Sequence, residues 1–338
     1  MGRVAVTTAL FGPVGAAQRA ATLADAGASG VFTFEGPHDV FTPLVVAASV
    51  PDLSLLTNVA IAFPRNPIHL AHAANDLQLL SGGRFRLGLG TQIRPQIEKR
   101  FGAEFDDPVG RMADKVGAIN AIFDAWETGA PLRYEGTYHR HTLMTPTFNP
   151  GPNPFGRPPV FVGALGPLMT RAAATYADGV LVMPFSTPDF LTSTTIPSIR
   201  RGLARRAHLS PRGFTVIPEV IVSVGNDHTA ARRLLAFYGS TPAYRPVLAA
   251  HGAAHLQPEL NALSKQGRWS EMPELIDDDL LHTIAACGSA EDVARGILTR
   301  IDAFDAVRDL DVRVDEVCVY QPTPIDAEQL AAVIDALA

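Results

Sequence analysis

The residue groups in this chain whose types and spacing suggest chemistry are few, and each is incomplete. His69 and His72 stand three apart, and His251 and His255 four apart, spacings at which two imidazoles on one helix face could share a metal ion. The second pair lacks the Glu of an H-E-x-x-H site, and neither pair has an evident third ligand, so no metal is expected. Gly83 and Gly88 bracket four residues as in a P-loop, but Leu89 and Gly90 follow where Lys and a hydroxyl residue would have to meet phosphates. Gly88 and Gly90 also open a dinucleotide fingerprint, which Thr91, Gln92 and Ile93 leave without its third glycine. No G-x-S-x-G elbow offers a nucleophilic serine, and Asp277-Asp278-Asp279 reads as a helix cap. What remains of "SGGRFRLGLGTQ" is a helix stop at Ser81-Gly82-Gly83, then a strand in which Phe85, Leu87 and Leu89 alternate with Arg86, Gly88 and Gly90.

That strand belongs to a recurring pattern. Apolar, β-branched runs stand at Val4–Thr8, Val31–Phe34, Leu53–Ala62, Phe85–Leu89, Pro159–Gly163, Gly179–Met183, Phe214–Val224 and Val314–Tyr320. After most of them comes a small or polar residue followed by proline, at Gly12-Pro13, Thr42-Pro43, Asn66-Pro67, Asp107-Pro108, Gly166-Pro167, Thr187-Pro188 and Thr323-Pro324. Proline suits the first helical turn, where its missing N–H costs nothing, so each pair marks a helix start. Met112, Val116, Ile119, Phe123 and Trp126 then fall on one face of a helix ending at Gly129, and Leu70, Ala73, Leu77 and Leu80 do the same before Gly82. Strand then helix, repeated about eight times, predicts a (β/α)8 TIM barrel, with its active site at the C-terminal ends of the strands. An open doubly wound sheet is the rival, but its first loop should carry a glycine fingerprint that "LFGPVG" lacks. Two stretches exceed the repeat, at about 128–158, where "GTYHRHTLM" suggests a hairpin, and at about 239–282. They read as insertions over the mouth of a single domain spanning residues 1–338.

Composition narrows the partners. A net charge of -6, with no cluster of Lys and Arg among aromatics, argues against nucleic acid. Cys287 and Cys318 form no CxxC pair and are too few for a disulfide scaffold, which points to the cytoplasm. No apolar run approaches the roughly 18 residues of a membrane span. "RVAVTTALFGPVGAA" imitates a signal peptide, but Thr7, Thr8 and Gly12-Pro13 spoil its apolar region, and a first strand with its loop explains it better.

The stretches "LLTNVAIAFPRNPIHLAHAANDLQLLSGGRFRLGLGTQ" and "PPVFVGALGPLMTRAAATYADGVLVMPF" resemble the bacterial luciferase-like superfamily. Within it they are most similar to the branch dependent on the deazaflavin coenzyme F420, the methylenetetrahydromethanopterin reductase-like proteins. The resemblance runs on through "CGSAEDVARGILTRI" to "VDEVCVYQP". It implies the same barrel, a homodimer, and a hydride moved between C5 of F420 and a small organic substrate. It also implies a non-proline cis peptide at Asn58-Val59, in a third-strand bulge that backs the ring. "FEGPHDVF" aligns with the family's acidic-His segment, making His38 and Glu35 the catalytic candidates. Gly163, Ala164, Leu165 and Gly166 precede a helix whose N-terminus favours anions and are the implied phosphate contacts. Thr91 and Gln92 are candidates for polar contacts to the ring or its chain, and Arg65 for steering the acidic tail. The chain departs from the pattern at Leu168, where many relatives have Lys, and at Gln92, near which some carry an acid. Three functions therefore compete: an F420-dependent oxidoreductase, an FMN-dependent monooxygenase of the same superfamily, and a barrel that binds coenzyme without turnover.

Overall fold

The computed structural model describes residues 4–206 and 213–338. Eight parallel strands close a barrel: β1 Ala5–Ala9, β2 Gly30–Thr33, β3 Ser54–Thr57, β4 Phe85–Gly90, β5 Val160–Ala164, β6 Gly179–Val182, β7 Phe214–Val224 and β8 Glu316–Tyr320. Each pairs with the next, and β8 closes on β1 with Glu316 opposite Ala5. These are the eight runs expected from sequence, with one difference. Leu53–Ala62 is two pieces, because β3 breaks at Asn58 and only the short Ala60–Ile61 segment resumes pairing, against Leu89 and Gly90 of β4.

The proline signals locate most helix starts. Asn66 accepts a hydrogen bond from Ile68 N–H at the start of the helix Pro67–Leu80, and Thr187 accepts one from Phe190 N–H. Asp277, the first of the three aspartates, caps the helix Asp278–Ile284 through Leu280 N–H. Two signals lie ahead of the true starts. After Gly12-Pro13 the chain turns through Gly15, at φ 70°, before the helix Ala16–Asp25, and after Thr323-Pro324 it is Asp326 that caps the helix Ala327–Ala336. The face of Pro67–Leu80 also differs from expectation. Leu70, Ala71, Ala74 and Leu77 are buried, whereas Leu80, at the helix end, is 57% exposed.

Strand alternation divides the core between two sides of the barrel wall. Phe85, Leu87 and Leu89 point outward into the apolar layer between strands and helices, together with Val31, Leu55, Val160 and Val216. Arg86, Gly88 and Gly90 point inward, and the interior residues stack in three layers. The lowest holds Thr7, Arg86, Phe161 and Glu316. Thr7 donates to Glu316 at 2.6 Å, Arg86 pairs with the same carboxylate, and the Arg86 guanidinium lies 6.0 Å from the Phe161 ring. The middle layer is apolar, with Ala9, Phe32, Leu56, Leu181, Ile217 and Cys318. By the same alternation Phe11, Phe34, Asn58, Glu219 and Tyr320 form the top layer, at the C-terminal ends of the strands.

The segment after β4's helix Pro108–Thr128 contains the expected hairpin, Tyr134–Glu135 against Arg140–His141. Beyond the mouth β7 continues, and its Val222–Val224 pairs with Ala286–Gly288. From there the helix Thr229–Gly239 and the segment after it build a second apolar cluster. Leu235, Leu248, Leu260 and Leu281 of that cluster pack with Phe185 and Ile221 from the β6 and β7 ends. Among the described residues no helix is long and apolar enough to cross a membrane.

Candidate active site

The mouth is shaped by the break in β3. The Asn58–Val59 peptide is cis, and Asn58 N–H donates to Thr33 O of β2 at 2.7 Å. Where β3 leaves the ladder, the Thr57 hydroxyl takes over: Gly88 N–H donates to Thr57 Oγ1, and that hydroxyl donates to Gly88 O, both at 2.8 Å. The backbone is therefore satisfied although the strand is interrupted. The interruption also explains the glycines. A Cβ on Gly88 would lie 1.9 Å from Thr57 O, and one on Gly90 would lie 2.3 Å from Val59 Cγ2. Val59 rests in the space that glycine leaves at the ends of two neighbouring strands, since a Cβ on Gly163 of β5 would also come within 3.0 Å of Val59 Cγ1.

Gly163 opens the loop Gly163–Gly166, which leads directly into the helix Pro167–Tyr176. No side chain caps that helix, a Cβ on Gly166 would meet nothing within 4 Å, and Leu168 in its first turn is 57% exposed. Uncapped first-turn N–H groups at an open helix N-terminus favour an anion. Ala164 is buried, and Leu165 packs toward the second apolar cluster. On the opposite wall Tyr320 meets Phe34 edge-on at 5.5 Å and stacks with Phe11 at 6.4 Å, an aromatic lining above the apolar middle layer.

The sequence-derived candidates fall into separate groups. Glu35, expected as an acid, and Arg65, expected at a coenzyme tail, are joined to each other. Arg65 Nη1 donates to Glu35 Oε2 at 2.6 Å and to Ile61 O at 2.9 Å, and Glu35 Oε2 also accepts Ile61 N–H at 2.9 Å. The pair pins the chain that follows the bulge. Lys115, almost fully buried, donates to Arg65 O at 2.5 Å, and burial, with Arg111 nearby, lowers its pKa to about 8. His38 is exposed on the rim, with its ring beside Gly12 of the β1 loop, where a Cβ would lie 3.0 Å from His38 Cδ2. Gln92 is exposed with φ 57°, and its side-chain oxygen accepts its neighbour Ile93 N–H at 2.9 Å, while Thr91 Oγ1 donates to Gln92 O. His251 sits 2.7 Å from the Thr187 hydroxyl, and His72 packs on Trp126 with ring centres 4.8 Å apart. Among the described residues no three His, Cys, Asp or Glu side chains gather as a metal site.

One mouth residue carried no motif. Glu219 of β7 lies opposite Cys318 in the register with β8. Protein surrounds its carboxyl while the residue keeps some solvent contact, and burial pushes its pKa up to about 8 against the opposing influence of the Asn58 amide. The Asn58 Nδ2 is itself buried and makes no hydrogen bond, so the amide is near the carboxyl without being bonded to it. Tyr238, carried in by the helix Thr229–Gly239, and Tyr320 stand close enough for the Glu219 charge, added to burial, to push both phenols up. The signal in the sequence was one carboxylate within the apolar run "FTVIPEVIVSV".

An uncapped helix end for phosphate, an apolar shelf at Val59 beside it and a buried, unbonded amide at Asn58 fit a planar coenzyme with an anionic tail. The chain is also similar to known proteins over most of its length. A model of the luciferase-like monooxygenase family matches residues 4–305. An uncharacterized protein of Mycobacterium tuberculosis is 42% identical over 313 residues, covering 90% of this chain and 92% of that protein. A 5,10-methylenetetrahydromethanopterin reductase of Archaeoglobus fulgidus is 29% identical over 248 residues, 69% of this chain and 70% of that one. In fold, the chain is similar to the coenzyme F420 dependent tetrahydromethanopterin reductase from Methanopyrus kandleri, with a TM-score of 0.76 at 20% identity over 99% of this chain and 98% of that one.

Proposed function

Because the chain belongs to the luciferase-like monooxygenase family, we propose that it is an oxidoreductase that uses coenzyme F420 to reduce or oxidise a small organic molecule at the barrel mouth. One observation carries this reading. The Val59 shelf and the open helix N-terminus meet at Gly163, whose missing side chain leaves the room Val59 occupies and which begins the loop into that helix, so one strand end serves a flat ring and an anionic tail together. The coenzyme F420 on which the Methanopyrus kandleri structural neighbour depends supports the deazaflavin over other ring coenzymes. Bound there, F420 supplies a carbon, C5, that gives or takes hydride.

The protein's own part is to bind, orient and exclude water. Val59, Gly163, Ala164, Leu165 and the first-turn N–H groups hold the coenzyme. The Glu35–Arg65 pair fixes the segment on which Val59 rides, and Thr91 and Gln92 edge the same face from the end of β4. Phe11, Phe34 and Tyr320 give the substrate an apolar wall, and Phe185 with Tyr238 and Tyr244 screens the mouth from the insertion side. His38, on the rim, is placed to trade protons with water.

A second reading, an FMN-dependent monooxygenase, is favoured by that aromatic screen, since such chemistry needs water kept out. Anaerobic titration with F420 and with FMN, followed by absorbance, separates the two. Tighter binding of F420 is expected. Equal or tighter binding of FMN, with oxygen consumed after reduction, would replace the first reading by the second.

A further inference from the structure

Among the described residues two carboxyl groups face the barrel interior, and only one of them has a counter-ion. Glu316, in the lowest layer, is paired with Arg86 and bonded by Thr7. Glu219, in the top layer, has no ion-pair partner among the described residues. The uncharged groups around it are the Asn58 amide, the Tyr238 and Tyr320 phenols and the Cys318 thiol, each of which interacts with its charge. An unpaired carboxyl enclosed in this way is held as the neutral acid near neutrality, with its pKa raised to about 8. Glu219 also lies on the inner face of a regular strand, so its position is fixed by β7 and not by a loop.

We propose that Glu219 is the group that exchanges a proton with the substrate, and that the substrates are uncharged compounds bearing a carbonyl or hydroxyl group on the reacting carbon. The inference rests on the F420 reading for the source of hydride. In the reducing direction, the carbonyl carbon accepts hydride, with its electron pair, from the reduced deazaflavin. The C=O π electrons move onto oxygen, and the Glu219 O–H bond breaks to give that oxygen its proton. The product is an alcohol, and the remaining Glu219 carboxylate regains a proton from water at the mouth. Alcohol oxidation is the reverse, with the carboxylate accepting the hydroxyl proton. An anionic group at the reacting carbon fits poorly, because Glu219 left as the carboxylate would repel it, and Arg65, after the third-strand break, is already paired with Glu35. The aromatic and apolar walls favour a hydrophobic body on the substrate.

The test uses cyclohexanone as a neutral carbonyl probe and infrared difference spectra of the wild type, E219Q and E219D, each with and without F420. The wild type should show a carboxylic-acid C=O band that titrates away with a midpoint near 8, should lack it as E219Q, and should regain an acid band as E219D. The probe's own C=O stretch should fall in frequency in the wild type and return toward its solution value in E219Q. F420 affinity should match between wild type and E219Q, whereas turnover of the ketone should fall by about 10²–10⁴. Absence of the acid band at neutral pH, or a probe band that is the same in wild type and E219Q, overturns the proposal. If F420 binds neither protein, the coenzyme reading fails on its own, while the coenzyme-free spectra still decide Glu219.

Discussion

Glu219 and the rim imidazole of His38 are both side chains at the mouth that carry an exchangeable proton, and their surroundings separate them. His38 is exposed beside Gly12, while Glu219 is enclosed by uncharged neighbours. His38→Ala is therefore expected to keep F420 affinity and lose less than about tenfold in turnover, against about 10²–10⁴ for E219Q. Steady-state rates and coenzyme titration on the two variants check this, and the reverse order would move the proton role to His38. Stability gives an independent view of the same carboxyl. Between an unfolded value near 4.5 and a folded value near 8, the native state binds the proton that the unfolded chain has released. Wild-type stability should therefore fall as pH rises through that window and level off above it. E219Q has no such slope, and at pH about 9 should be more stable than the wild type by on the order of 1–3 kcal/mol, with little difference at pH about 5. Urea unfolding at the two pH values measures it.

At the scale of elements, the strands and most helix starts were legible because they depend on local pattern. Alternation in Phe85–Gly90 and the proline after a capping residue are written within a few positions of the structure they produce. What the glycines were for was not legible, because the atoms that exclude a side chain, Thr57 O and Val59, belong to a strand some thirty residues earlier. The same holds for Glu35 and Arg65, which read as separate functional candidates and turn out to hold one segment together. Glu219 was hidden for the opposite reason: a lone acid in an apolar run has no local signature until β3 and β8 enclose it. The steric argument at β4 is testable. Gly90→Ala places a methyl in the volume of Val59, so the shelf must shift, and the cost of overpacking is about 1–3 kcal/mol. F420 binding should weaken more than stability alone accounts for, as calorimetric titration beside thermal melting would show.

Across the whole molecule, the interior is graded along the barrel axis, and each end does a different job. The lower end is closed by Arg86, Glu316 and Thr7, the middle by apolar side chains, and among the described residues the top carries the inward carboxyl that has no counter-ion. Burial works against ionisation of Glu316, but the Arg86 charge and the hydrogen bonds from Arg86 and Thr7 outweigh it and hold the carboxyl below its ordinary value. That contribution to stability is complete above the unfolded pKa near 4.5 and is lost as pH falls through the lower folded value, which makes the closed end the acid-sensitive one. Removing one partner leaves the other charge buried alone, so Arg86→Met should cost about 3–5 kcal/mol. Replacing both, as Arg86→Met with Glu316→Leu, removes the charge and its desolvation penalty together, and should recover most of that loss while flattening the acid limb of the stability profile. Because the pair lies at the opposite end of the strands from Val59 and Gly163, the double variant should bind F420 as the wild type does. Denaturant unfolding from pH about 3 to 7, with coenzyme titration at neutral pH, tests both claims. Loss of coenzyme binding in a folded double variant would mean that the two ends of the barrel are coupled through its apolar middle layer.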